Sequence, residues 1–304
     1  MSTMKNSLSQ IEFTVSADET GMRCGDFLRK KGVSRRLAAR LKRTENGIAR
    51  NGGFVRTIDI LNTGDVVSLM RLDESPLEAC GGLAVEIVYE DDDVAVYNKP
   101  AGMPVHPSLK HQGDTLGNRF AADFPELTFR PINRLDRDTS GLCAVAKSAY
   151  AANMLNGRIQ KVYTAAVEGL PIPCDIGGIP LKWTEKDGLY RIEAPIGRAG
   201  ESIIRREVRA DGKYAATNYT IIKSNEKFSL LRICLDTGRT HQIRVHFSAV
   251  GHPLAGDDFY GGSLEFCHRQ ALHCSEMSFA KISDGEIVNI LCSPCDDILS
   301  LFII

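Results

Sequence analysis

"PINRLDRDTSGLCAVAKS", residues 131–148, joins a polar, turn-prone segment to an apolar run. Asp136 stands between Arg134 and Arg137, and Asp138, Thr139, Ser140 and Gly141 follow before the run begins. Asp, Thr, Ser and Gly favour turns, whereas "LCAVAKS" (142–148) reads as a strand. A carboxylate on a loop just before a strand can project into a cleft. Flanking arginines favour its ionised form, and an ionised, partly desolvated aspartate can act as nucleophile or base. The same residues also fit a plain structural Asp–Arg pair beside an Asp138–Thr139–Ser140 turn.

Strands and helices alternate on both sides of this stretch. "LAVEIVYEDDDVAVYNKP" (83–100) reads as a hairpin turning at Asp91–Asp93, and "TLGNRFAADF" (115–124) as a short helix begun by Asp114 or Thr115. "SAYAANMLNGRIQ" (148–160) reads as a helix and "KVYTAAVEG" (161–169) as a strand with Val162, Thr164 and Ala166 alternating. "ATNYTII" and "SLLRICL" read as further strands, and "RTHQIRVHFSAVG" (239–251) as a helix ended by Gly251. Long helix-free stretches argue against a doubly wound parallel sheet and for an α+β domain with a mostly antiparallel sheet.

Upstream, the composition changes. "LDESPLEACGGL" (72–83) is acidic and carries Pro76 and Gly81–Gly82, as linkers do. A small unit over 11–75, a linker over 76–82 and a larger unit over 83–304 are expected. In the small unit, "GMRCGDFLRKK" (21–31) suits a helix ending in cations, and Ser34 suits an N-cap for "RRLAARLKR" (35–43). "NGGFV" (51–55) signals a hairpin turn. Between Arg23 and Arg56, lysines and arginines far outnumber the two acids, Asp26 and Glu45. A solvated helix face explains most charge runs. Here the excess is confined to one unit of a chain whose net charge is -1, which points to phosphate binding.

The chain has 304 residues, 43% hydrophobic and 25% charged, as in ordinary globular proteins with room for two domains. "MSTMKNSLSQ" (1–10) lacks the apolar core of a signal peptide, and "ILSLFII" (298–304) falls short of the roughly 18 residues a membrane span needs. A cytoplasmic location is expected. Nine cysteines without a pattern suit free thiols. Cys292 and Cys295 form C-x-x-C, and "CHRQALHC" (267–274) adds two histidines, but the spacing is not that of a zinc knuckle, so no metal is expected. Neither a P-loop nor G-x-G-x-x-G occurs, so no nucleotide cofactor is expected either.

Five ordered blocks in the larger unit resemble the RluA-type pseudouridine synthases: "NKPAGMPVHP" (98–107), the R-L-D-x-x-T-S-G stretch at 134–141, "KVYTAAVEG", "GKYAATNY" (212–219), and "TGRTHQIRVH" (237–246) with "RQALHC" (269–274) downstream. The small unit resembles the RNA-binding domain named for the fourth protein of the small ribosomal subunit, through Gly21, Arg23, Phe27, Leu28, Ser34–Arg36, Gly47, Asn51–Gly52 and Gly64–Asp65. The resemblance implies the mixed, mostly antiparallel sheet of the pseudouridine synthase fold and a cofactor-free isomerase. Such an enzyme flips a uridine from its stack, since a stacked base is out of reach, detaches the uracil and rejoins it through a ring carbon.

By the same resemblance, Asp136 is the catalytic aspartate, attacking the anomeric carbon or removing the ribose 2′ proton. Tyr163 packs on the target base, Arg239 pairs with the aspartate, Arg134 helps fill the place of the flipped base, and Thr139 and Ser140 fix the loop. Arg244 stays outside the catalytic set, as a helix-surface cation. The small unit's second helix and following turn place Arg35, Arg36, Arg40, Lys42 and Arg43 on RNA. Asn133 departs from the family, which most often has His before R-L-D; Asn still donates and accepts hydrogen bonds, so an RNA contact is expected of it. The expected partner is structured RNA, ribosomal in preference to transfer RNA, acted on by a monomer; a catalytically silent RNA-binding assembly factor is the alternative from another class.

Overall fold

The computed structural model describes residues 10–70, 77–108, 111–202 and 204–303. The chain is α+β. The small unit runs β1 (Gln10–Thr14), α1 (Cys24–Lys30), α2 (Arg35–Leu41), β2 (Ile48–Arg50), β3 (Gly53–Phe54) and β4 (Val66–Met70). Its sheet has the order β1-β4-β2-β3. Ser34 caps α2 by accepting from Leu37 N, satisfying one of the N–H groups a helix start leaves free. Asn51 and Gly52 both have positive φ, 51° and 77°, as a two-residue hairpin turn requires. Phe27, Leu28, Leu41, Leu61 and Leu69 form the buried core.

The larger unit continues with β5 (Glu86–Glu90), β6 (Val94–Lys99), α3 (Leu116–Asp123), β7 (Ser140–Ala146), α4 (Ala149–Leu155) and β8 (Gln160–Glu168). Next come β9 (Lys182–Lys186), β10 (Leu189–Glu193), β11 (Ile196–Arg198), β12 (Arg206–Val208), β13 (Ala216–Ser224), β14 (Phe228–Leu235) and α5 (Gln242–Ala249). The chain closes with β15 (Leu272–Ala280), β16 (Ile287–Leu291) and α6 (Asp296–Leu299). Thr115, one of the two expected caps, starts α3 by accepting from Asn118 N. Ten strands form one sheet in the order β5-β6-β7-β15-β8-β14-β13-β10-β9, with β16 on β15. All its pairings are antiparallel except β15 with β7. Every residue of β7 is buried, so this strand is covered on both faces and reads as a continuous apolar run.

Two expectations change. The linker is not free over residues 77–82. Cys80 N donates to Asn118 O (3.0 Å), Asn118 Nδ2 to Glu78 O (2.8 Å) and Arg119 Nη1 to Gly81 O (3.1 Å), which straps the segment onto α3. Residue 76, the rest of the expected linker, and residues 71–75 at the end of the small unit lie outside the described residues. Nor are the two units independent. Tyr150 on α4 is buried within the small unit's core, 5.5 Å from the Phe13 ring, and Asn153 Nδ2 donates to Gly32 O (2.6 Å). A β-carbon at Gly32 would strike Met154 Sδ, so glycine permits the close approach. Tyr150→Ala should therefore cost about 3 kcal/mol, with Asn153→Ala costing about 1 kcal/mol. Urea denaturation checks both; wild-type midpoints would show that the small unit does not rest on α4.

Candidate active site

The loop before β7 is held from four sides. Asn133 is buried; its Nδ2 donates to Leu142 O (3.1 Å) and its Oδ1 accepts from Ala144 N (2.8 Å). That corrects the expected RNA contact: the side-chain amide is spent on the backbone of β7. Lys99, fully buried at the end of β6, donates to Pro100 O (2.8 Å), Met103 O (2.8 Å) and Arg137 O (3.0 Å). Its three donors match three carbonyls, and burial pulls its pKa down to about 8. Arg269 Nη1 donates to Asp138 O (3.0 Å), while the same guanidinium pairs with Asp297 through Nε (2.6 Å) and Nη2 (2.9 Å). Thr139 N closes the turn on Asp136 O (3.1 Å), Thr139 Oγ1 accepts from Gln270 Nε2 (3.3 Å), and Ser140 Oγ shares a hydrogen bond with His273 Nδ1 (2.9 Å). Gly141 has φ of 104°, and a β-carbon there would strike the Cys274 carbonyl across the parallel β7–β15 contact. Thr139, Ser140 and Gly141 thus have distinct physical jobs in fixing Asp136.

Asp136 is the carboxylate these anchors present. Arg244 Nη1 donates to its Oδ2 (3.1 Å), and His241 Nε2 lies 3.7 Å from the same oxygen. Among the described residues no group bonds Oδ1. Burial holds the His241 imidazole below its usual pKa, so Arg244 supplies the positive charge beside Asp136. Arg244 is itself gripped by Asp257, Nε to Oδ2 and Nη2 to Oδ1, both at 2.7 Å. This two-point fork is the strong, directional form of an arginine–carboxylate pair, and Asp257 is 1% exposed. Arg244 also lies over the Tyr260 ring, 4.9 Å from its centroid.

The expected partner of Asp136 was Arg239, and here the structure differs. Arg239 Nε donates to Tyr214 O (3.0 Å), and the side chain lines the cleft without bonding the carboxylate. The expected helix over 239–251 begins only at Gln242, because His241 adopts a left-handed conformation with φ of 58°. Gln242 locks that turn: Oε1 accepts from Arg239 N (3.0 Å) and Thr237 Oγ1 (2.8 Å), and Nε2 donates to Ala216 O (3.0 Å). Arg244 then falls on a helix that is buried on every side, among Ile243, Val245 and Phe247. The available signal was an arginine between Ile243 and Val245, which when buried needs an acid nearby, and "AGDDFYGG" (255–262) offered one.

Tyr163 lies on β8, between Cys274 of β15 and Ile233 of β14. It lines the same cleft of about 70 Å³ as Asp136, Arg134 and Leu235. Its ring is buried, burial pushes the phenol well above its ordinary pKa, and among the described residues its hydroxyl makes no hydrogen bond. A buried polar group without a partner is rare in native proteins, and here it faces a cleft with an open-sided carboxylate. Arg134 is exposed at the cleft. Arg35, Arg36, Arg40, Lys42 and Arg43 lie apart from it, exposed on and after α2, and none forms an ion pair among the described residues. No group of three or more His, Cys, Asp or Glu side chains among the described residues could hold a metal ion, and all nine cysteines are free.

Residues 93–249 match the family model described as RNA pseudouridylate synthase. This chain belongs to that family. An uncharacterized RNA pseudouridine synthase of Bacillus subtilis is 34% identical over 265 residues, covering 84% of this chain and 89% of its own. The ribosomal large subunit pseudouridine synthase D of Pseudomonas aeruginosa is 36% identical over 237 residues, 75% of this chain and 69% of that one. Among solved structures, human RNA pseudouridylate synthase domain containing 1 aligns with a TM-score of 0.54 at 25% identity, covering 71% of this chain and 86% of that one. The chain is thus an RNA pseudouridine synthase, an isomerase with the fold of its solved relatives.

The two arginines are separable by experiment. Asp257→Asn loosens the fork on Arg244, and because small misplacements of reacting groups are costly, the single-turnover rate at saturating RNA should fall about a hundredfold. Arg239→Ala should leave that rate near wild type and weaken RNA binding instead. The reverse pattern would restore Arg239 as the group that sets the aspartate.

Proposed function

We propose that this synthase isomerises uridines in large-subunit ribosomal RNA, with Asp136 as the reacting carboxylate. The observation that carries the reading is the juxtaposition in one cleft of Asp136, held by Arg244 with Oδ1 free, and the unpartnered hydroxyl of Tyr163. The N1–C1′ bond of the uridine breaks and a C5–C1′ bond forms; N1 gains a proton and C5 loses one, so nothing is consumed. Asp136 either attacks C1′ or takes the C2′ proton, and its fixed, charged carboxylate suits both. Tyr163, kept neutral by burial, packs against the uracil and offers its hydroxyl to the base. Arg134 at the cleft mouth fits the space a flipped base vacates, and Arg239 adds a cation beside it for the backbone. No cofactor is required by this chemistry.

The ribosomal preference rests on relatives named as large-subunit synthases in Pseudomonas and Neisseria, the latter 37% identical over 72% of this chain. The basic unit favours a large structured RNA, because Arg35, Arg36, Arg40, Lys42 and Arg43 all project free charge. A cytoplasmic monomer suits such a substrate. The test is pseudouridine mapping across total RNA from a strain lacking the gene, with and without a plasmid copy. Loss and return of pseudouridine in large-subunit RNA supports the proposal. Loss confined to transfer RNA moves the same chemistry to that substrate, and an unchanged map favours the silent assembly factor.

A further inference from the structure

The small unit carries a groove that the catalytic reading leaves without a task. It has a volume of about 630 Å³ and lies between the end of α2, the turn after it, and the segment that follows β3. That is within the range of about 300–1,000 Å³ typical of ligand sites. Its apolar lining includes Phe54, 79% exposed, and Ile58, 60% exposed. Its lining also carries Lys42 and Arg43, which form no ion pair among the described residues, Arg56, which is paired with Asp59, and one acid, Glu45.

These apolar groups are held rigidly. The turn that presents Phe54 is pinned to β4: Asn51 N donates to Val66 O (2.8 Å), Val66 N to Asn51 Oδ1 (2.8 Å) and Asn51 Nδ2 to Asp65 Oδ1 (2.8 Å). The segment bearing Ile58 is closed by Asp59, whose carboxylate accepts from Arg56 N (2.9 Å) and Arg56 Nε (3.0 Å), and it docks on α1 through Gly25 N to Thr57 O (2.8 Å). An aromatic ring kept exposed on a fixed hairpin loses little entropy on binding. The cationic rim favours an anionic ligand over an apolar protein segment.

We propose that this groove seats one unpaired nucleobase of the RNA, stacked on Phe54, while Lys42 and Arg43 hold the flanking phosphates. Stacking on aromatic side chains beside cations is the common way to grip unpaired nucleotides. The inference rests on the RNA-binding reading of the small unit and adds to it a demand for an unpaired base.

The test uses the full chain and a stem-loop RNA with a single bulged 2-aminopurine, against the same RNA with that base paired. Wild type should bind the bulged RNA more tightly and quench its emission. Phe54→Ala should weaken that binding about five- to hundredfold, as for one lost base stack, abolish the quenching and spare the paired RNA. Phe54→Trp should restore both. Because Phe54 is exposed, its removal leaves the fold intact. Equal effects on the two RNAs, or none on either, overturn the proposal and leave the patch to a protein partner. Replacing Arg35, Arg36, Arg40 and Arg43 by Ala is the control: each lost phosphate contact lowers the salt slope by about 0.7–0.9. A lowered slope with no Phe54 effect removes only the base seat, whereas an unchanged slope removes RNA binding by the unit.

Discussion

Arg244 makes two hydrogen bonds to Asp257 and one to Asp136, and the last depends on the first two. A guanidinium this deeply buried is tolerated only with its charge met and its donors used. Asp257 meets the charge and takes two of the five N–H groups with a carboxylate that is itself inaccessible, and so fixes the plane of the arginine. Of its remaining N–H groups, one on Nη1 is aimed at Asp136 Oδ2, and among the described residues no group bonds Oδ1. Breaking such a buried pair from one side leaves an uncompensated charge worth about 3–5 kcal/mol. Stability and the orientation of the Asp136 carboxylate are therefore tied to one contact.

The other side of the carboxylate is backbone. Asn133, within the loop, ties it to the backbone of β7, while Lys99 of β6 and Arg269 ahead of β15 donate to carbonyls of the loop. Arg269 is in turn oriented by Asp297 on α6, so a helix near the end of the chain buttresses a loop at its middle. Tyr163 sits two strands away from β7, across β15. The sheet order brings together residues that are far apart in sequence, and the parallel β7–β15 pair leaves room at Gly141 only for a hydrogen. Pre-set geometry of this kind costs nothing at the moment of reaction.

Much of this was legible in the chain. Ser34 and Thr115 announced their helices as caps, Asn51–Gly52 its hairpin, and the alternation in "KVYTAAVEG" the strand that carries Tyr163. Asp136 stood out because its neighbours were turn formers and cations ahead of an apolar run. The resemblance paired Arg239 with Asp136, whereas Arg244 makes that bond in the structure, on a helix expected to start at Arg239. The left-handed turn at His241 delays it, and a single non-glycine residue in that conformation leaves no clear mark in sequence. Asn133 was misplaced because an amide serves RNA or backbone equally well until its burial is known. The docking of Tyr150 into the small unit and the strapping of residues 77–82 onto α3 are long-range packing, which local patterns do not encode.

The account turns on Asp136 acting through its charge. Asp136→Asn keeps the size of the side chain and one acceptor oxygen for Arg244 while removing the negative charge. In a single-turnover assay on RNA from a strain lacking the gene, the account predicts no pseudouridine formed, with RNA affinity within about tenfold of wild type because phosphate contacts dominate binding. Measurable turnover by the Asn variant would contradict it and move the chemistry to another group in the cleft.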